Sequence, residues 1–269
     1  MRESKKNGGL MKGILQVKQK QFLTKNYVRV VLEGEDIINF EKAKPGDNNK
    51  ILVPRDKGAA IVLPDSPSDF SQHNRNYDVR TYTLRALDLQ KGEMIIDFVA
   101  HGHNGPASAW AIHALPGDML GVMMKDREKT LVKEAEQYVL AGDHTALPVL
   151  SVILEKLPAS ARGTAYIEVF SKDDILKLEK PENVTIEWLF NNRPGISSQL
   201  PTAIGSSAFL PFQDKFVFAA AEASAVREIQ FILRNHRLLE RNEWQAYAYW
   251  KYGHSEDHSS KEIKRVMHQ

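Results

Sequence analysis

The sequence predicts two domains: an antiparallel six-stranded β-barrel, then an α/β domain with a parallel sheet, followed by a C-terminal helical extension. Three observations carry this. Up to about Lys129, short alternating apolar runs are broken by Gly and Pro, the rhythm of a small antiparallel barrel. Beyond the charged stretch 125–136, strand-like runs alternate with helical patterns, which indicates a parallel sheet. The chain has 269 residues, a length that allows one large domain or two of ordinary size, and 42% of them are hydrophobic, enough for a packed core. The expected division is a flexible tail over 1–12, the barrel over 13–130, the α/β domain over 131–250 and the extension over 251–269.

Each element has its own signal. The run "YVRVVLEG" (27–34) puts Val28, Val30 and Leu32 on one face of a strand. Runs at 49–54, 59–64, 79–87, 93–102 and 118–124 complete six strands, and the polar stretch 65–78 reads as a long loop. In the second half, 137–142 is an apolar run ending in a tight turn. A helix follows with Leu147, Leu150, Leu154 and Leu157 on one face, and Pro158 closes it. Strands are expected at 165–170, 184–190, 215–221 and 244–250, with a helix from about Ser224 to Glu240 between the last two. The tail reads as a helix starting near Ser255.

Composition excludes several classes. Basic and acidic residues number 36 and 34, without the basic excess of a general nucleic-acid binder. No cysteine is present, which rules out disulfides, cysteine-ligated clusters and zinc sites, and a cysteine nucleophile. That fits a reducing compartment, and a cytoplasmic protein is expected. Redox chemistry then needs a bound organic cofactor. The first twelve residues are polar and basic, unlike a secretory signal, and no run of about 18 apolar residues indicates a membrane span.

The hexapeptide "RTYTLR" (80–85) is unusual for a buried strand, which favours Val and Ile. The Tyr82 ring suits a flat partner, the planar fork of Arg80 suits a phosphate, and Thr83 offers a hydroxyl and an N–H. A flavin nucleotide has that combination, although a half-exposed strand with a polar face in water has the same residues. The segment "DFVAHGHNGPASAWAIHALPGD" (97–118) adds a turn with Gly102 and Gly105 and a helix start at Pro106. The small residues Ala107, Ser108 and Ala109 leave the first N–H groups open, as a pyrophosphate site requires. Trp110 suits either the adenine or the core. His101 and His103 lack a third ligand at metal-binding spacing, so no metal is expected.

"RTYTLR", "DFVAHGHNGPASAWA", "YVLAGDHTALPVLSVILEKLP" and "YAYWKYG" stand in the order found in siderophore-interacting proteins. Residues 13–253 thus resemble that family of flavin-dependent ferric-siderophore reductases, which is related to the ferredoxin–NADP reductases. The resemblance implies FAD in the first domain, with Arg80, Tyr82 and Thr83 on the flavin-binding strand and Asp97, Phe98 and Val99 along the ring edge. It likewise implies that His101, Gly102, Gly105, Pro106, Ala107 and Ser108 form the phosphate-binding turn and helix start. The turn "AGDHTALP" (141–148) resembles the family's Asp-Glu-Thr-Ala-Leu-Pro turn facing the cofactors, which adds Asp143, Thr145 and Ala146. Here His144 stands where the family usually has Glu.

No G-x-G-x-x-G is present in that turn, so donor binding is expected to be transient. In "SKDDI" (171–175), Asp173 and Asp174 repel a 2′-phosphate while Lys172 attracts one, which leans toward NADH over NADPH and leaves a small ferredoxin as another donor. The substrate that the resemblance implies is a ferric siderophore in an open cleft beside the flavin, met by Lys50 and by Lys251, His258 and Lys261 of the tail. His258 and Lys261 share a face of the expected helix. The chemistry is electron transfer by the flavin, so no catalytic acid or base is expected. Two rival readings are a general flavin reductase or electron-transfer flavoprotein, and a non-catalytic siderophore-binding accessory protein. A monomer is expected.

Overall fold

The structure, a computed structural model, describes residues 9–65, 76–101, 105–126, 130–208 and 213–254. The chain divides into two compact units, residues 1–129 and 130–269. His258 and Lys261, and the expected C-terminal helix that carries them, lie outside the described residues, as does Gly102.

The first unit is a closed antiparallel barrel of six strands in the order β1-β2-β5-β4-β3-β6. These are β1 (Leu10–Thr24), β2 (Tyr27–Glu33), β3 (Asn48–Pro54), β4 (Tyr77–Asp88), β5 (Glu93–Val99) and β6 (Met119–Lys125). Alternate residues point inward. Val28, Val30 and Leu32 of β2 meet Ile96 and Phe98 of β5, Leu84 of β4 and Ile51 of β3 in one core. One short helix, α1 (Pro106–His113), connects β5 to β6 and adds Ala107 and Ala111 to that core.

The barrel differs from the sequence reading in two linked ways. The strand β1 begins at Leu10, inside the expected tail, and runs for 15 residues. Met11, Leu15 and Val17 are buried in the core, and β1 pairs with both β2 and β6 to close the barrel. Its Lys and Gln residues alternate outward, and they disguised it as a polar end. Conversely, 59–64 is not a strand. β3 is already paired on both sides, by β4 and β6, so the closed barrel offers this segment no free edge. Ile61 and Leu63 instead pack beside Leu52, over Gly121, where a Cβ would fall 3.0 Å from Ile61 and Leu52.

The second unit is a parallel sheet in the order β11-β10-β7-β8-β9. Its strands are β7 (Gln137–Gly142), β8 (Arg162–Val169), β9 (Val184–Phe190), β10 (Lys215–Glu222) and β11 (Trp244–Trp250). The interior strand β10 is buried along its whole length, as expected for a parallel strand covered on both faces. Three helices flank it: α2 (Leu147–Lys156), α3 (Leu200–Gly205) and α4 (Ala223–Asn235). The sequence pattern carried α4 to Glu240, but the chain leaves helical geometry at His236. The six-residue α3 is too short for a periodic signal. Among the described residues, no helix is long and apolar enough to cross a membrane.

If β1 is integral to the barrel, Leu15→Ala destabilises the protein by about 2–5 kcal/mol, as a fully buried Leu should. Ile61→Ala, on the half-buried segment outside the barrel, costs less than about 1.5 kcal/mol. Denaturant melts of the two variants measure the difference.

Candidate functional site

In the barrel, the site grows from β4 and β5. Arg80 and Tyr82 alternate onto the same face of β4, paired in register with Ile51 and Asn49 of β3. Both side chains are half-buried, and the Arg80 guanidinium donates to the Val79 carbonyl at 2.7 Å. The Tyr82 ring leans on Phe98 with centroids 4.5 Å apart, and Phe98 in turn meets Trp110 of α1 at 5.7 Å. Trp110 thus packs against the core, and the aromatic row ties α1 to the strand that carries Tyr82.

At the end of β5 the chain turns into α1. His101 donates its backbone N–H to the Ser108 hydroxyl oxygen at 3.1 Å. Its ring lies against Gly105, where an added Cβ would come within 2.7 Å and the ring would have to shift. Gly105 caps α1 without a side chain, and Pro106 opens the helix. No side chain therefore caps the first turn, whose N–H groups have no acceptor within the helix. Ala107 and Ser108 are buried, Ala107 in the barrel core and Ser108 with its hydroxyl engaged by the His101 N–H.

Two unmet polar features support a flavin nucleotide here. One is this uncapped helix start, suited to phosphate. The other is Asn49, which is 1% exposed and beside Tyr82 in register. Its amide nitrogen and oxygen have no hydrogen-bond partner among the described residues. With the Arg80 fork and the Tyr82 ring, these residues fit FAD in donor type and shape.

Asp97 behaves differently from the expectation of a ring-edge contact. Its carboxylate takes both forks of Arg29, across β2, at 2.8 Å each, and Arg85 approaches to 3.9 Å. This side chain is a buried strut of the barrel wall. Beside it, burial and the Asp97 charge push the Tyr27 phenol well above its ordinary value. Phe98 is fully buried and supports Tyr82 from within, Thr83 is buried, and Val99 is half-buried. Lys50 reaches the Thr81 hydroxyl, its register partner, on the strand face alternate to Arg80 and Tyr82.

In the sheet unit, the turn after β7 folds around Asp143. Gly142 is glycine because a Cβ there would sit 2.5 Å from Ala146 and 2.9 Å from the Ala220 carbonyl. Asp143 Oδ1 accepts from the Thr145 N–H and hydroxyl at 2.9 and 2.6 Å. Its Oδ2 accepts from the Glu222 N–H at 2.9 Å and the Trp250 indole N–H at 2.7 Å. All four lone-pair positions are used within the unit. The carboxyl is pushed above its ordinary value by burial, opposed by these four bonds. Thr145 spends its hydroxyl on Asp143, and Ala146 is fully buried. The three residues expected to face a cofactor therefore build the turn itself. His144 is buried too, its ring 3.7 Å from that of Phe170.

Sequence reasoning missed two acidic partners at this edge. Glu168, at the end of β8, accepts from the Gln199 N–H at 2.7 Å, the Ser198 hydroxyl at 3.1 Å and the Asn191 amide at 3.0 Å. Glu222, at the end of β10, accepts from the Ser224 N–H and hydroxyl and from the Tyr252 N–H. The only local signal was the Glu-Ala-Ser start of α4. Asp143, Glu168 and Glu222 line a small cleft, with room for about one water molecule, together with Gly195, Ser198 and Trp250. Lys251, half-buried, follows directly on Trp250.

Known proteins resemble both units. Residues 16–127 match the siderophore-interacting FAD-binding domain family, and residues 135–253 match the siderophore-interacting protein family. The ferric vibriobactin reductase ViuB of Vibrio cholerae is 32% identical over 262 residues, covering 94% of each chain. A siderophore utilization protein from T. fusca has a solved structure with a TM-score of 0.82 and 33% identity, over 91% of this chain and 95% of that one. The siderophore-interacting protein SipS from Aeromonas hydrophila matches with a TM-score of 0.82 and 29% identity, over 96% of this chain and 99% of its own.

Asp143→Asn leaves two donors facing an amide that cannot accept, and it destabilises the protein by about 2–4 kcal/mol in chemical denaturation. The wild-type carboxyl is raised, so the folded state holds its proton more readily than the unfolded one. This group's contribution to stability is therefore full below the ordinary carboxylate value and falls as pH rises through the raised one. Asp143→Asn removes that slope, as melts across the window show.

Proposed function

The chain belongs to the siderophore-interacting protein family, and from that membership we propose that it is an FAD-dependent ferric-siderophore reductase. It moves electrons from NAD(P)H or a reduced ferredoxin to Fe(III) held in a siderophore. The observation that carries this reading is the Arg80–Tyr82 pair on one face of β4, together with a helix start that no side chain caps. FAD, when bound, supplies the exchange between a two-electron donor and a one-electron acceptor.

The chain's own residues bind and position. Arg80 presents a planar fork to a phosphate, and the first N–H groups of α1 form a second anion seat. Tyr82, braced by Phe98, gives the cofactor a flat face that cannot swing away. Thr83 follows on the same strand with its N–H and hydroxyl. The iron complex is substrate. Fe(III) is held by hard oxygen ligands, and reduction weakens that hold, so the metal leaves as Fe(II). Many ferric siderophores are anionic, and Lys50 and Lys251 are the described cations that would draw them in. No protein group moves a proton in this step.

The FAD-loaded protein should be yellow, bleach with a donor and recover its colour on addition of a ferric siderophore, followed by absorbance. Arg80→Ala weakens FAD binding by about 10- to 100-fold in a fluorescence titration, the loss of one charge-assisted contact. Lys50→Ala leaves FAD binding intact and raises KM for an anionic ferric chelate by about 3- to 10-fold. Absence of saturable FAD binding, or reduced flavin that no ferric siderophore reoxidises, overturns the reading.

A further inference from the structure

Helix α4 buries Val226, Ile229, Gln230 and Leu233 and turns its opposite face to solvent. A helix packed on a sheet keeps its apolar side chains inside, and its outer face is ordinarily polar. Here Phe231 stands on the outer face and is 70% exposed, the highest value for a large apolar side chain among the described residues. Arg227 lies four positions before it and Arg234 three after, so both are its neighbours on the helix surface, and both are exposed. Directly after the helix, Arg237 and the exposed Leu238 repeat the pairing of a cation with an apolar side chain. Arg227, Arg234 and Arg237 enter no ion pair among the described residues. Over 223–241 four arginines stand against two glutamates, Glu228 and Glu240. The Glu240 carboxylate is committed to the backbone of the next turn, and Arg241 is stacked on Trp244. The neighbouring α3 brings no charge: Thr202, Gly205 and Ser206 are exposed there, with Gly205 beside Ile232 of α4.

We propose that the outer face of α4 docks on an anionic phospholipid surface, with Phe231 entering the headgroup region and Arg227, Arg234 and Arg237 meeting the lipid phosphates. Docking of this kind needs no flavin and stands apart from the reductase reading. Unpaired arginines select an anionic partner, and a second copy of the same face would set arginine against arginine. An exposed ring on a convex helix needs a matching hollow in a protein partner, whereas a bilayer interface yields to it. Aromatic side chains at the headgroup level with basic residues around them are the combination that such an interface takes up. Each arginine close to an anionic leaflet strengthens binding by about fivefold, so three give on the order of 100-fold over a neutral one. With a single aromatic side chain entering, attachment is reversible, and it weakens as salt screens the surface.

The test sediments the full chain with vesicles of phosphatidylcholine alone and of phosphatidylcholine mixed with phosphatidylglycerol. The wild type should bind the mixed vesicles at least about tenfold more tightly than the neutral ones, and the difference should shrink as salt rises from about 0.05 M to about 0.5 M. Arg227→Glu/Arg234→Glu should lose about tenfold or more of the binding to mixed vesicles, and Phe231→Ser about threefold or more. These three side chains are exposed, so the variants should melt as the wild type does. In Phe231→Trp, the indole emission should move to shorter wavelength on mixed vesicles and stay unchanged on neutral ones. Wild-type protein that ignores phosphatidylglycerol overturns the inference and leaves this face to an acidic protein. Undiminished binding by the double arginine variant overturns it too, since another surface then holds the lipid. If the charge variants do not fold, an unshifted emission in Phe231→Trp bound to mixed vesicles has the same force.

Discussion

Asp143 is 3% exposed, and four donors converge on its two oxygens from three places: the turn after β7, the last residue of β10 and the last residue of β11. A carboxylate this buried persists only if its lone pairs are answered, and here the answers come from separate strands. The bond network therefore fixes where β7, β10 and β11 end relative to each other. Gly142 adds the steric half of the constraint, since any side chain there would strike Ala146 and the Ala220 carbonyl. Glu222 is both a donor to Asp143 and the cap of α4, so the direction of that helix depends on the same carboxylate.

Helix starts in the two units differ at one helix, α4. In the barrel, Gly105 and Pro106 leave α1 without a side-chain cap. In the sheet unit, α4 starts on Glu222, whose carboxylate accepts from the Ser224 N–H and lies at the positive end of the helix dipole, whereas α2 and α3 start with Pro and no side-chain cap. The strand–helix junction thus carries an internal carboxylate at α4 and no side-chain cap at α1. That difference follows from single residues at the junctions, Gly105 before α1 and Glu222 before α4.

The local geometry of the candidate barrel site was legible because its signals are local. Arg80 and Tyr82 sit two apart, so strand alternation alone places them together. Gly105–Pro106 announces an uncapped helix start without knowledge of the fold. The roles of Asp97 and Asp143 were not legible, because their partners are far away in sequence: Arg29 lies on β2, and Trp250 ends β11. Read locally, both looked available to a ligand. The same limit explains the strands. The segment 59–64 has the right alternation but no edge to join, while β1 has a weaker pattern and two edges that need it.

The sequence by itself determined the order of barrel and parallel sheet, the helices α2 and α4, and the Arg80–Tyr82 and Gly105–Pro106 motifs, since each is set by residue type and spacing over a few positions. Only the tertiary structure decided which segments close the barrel and which carboxylates are spent inside the protein. Strand pairing and carboxylate burial depend on partners brought together by folding, and no local pattern records whether a lone pair will find a donor 107 residues away.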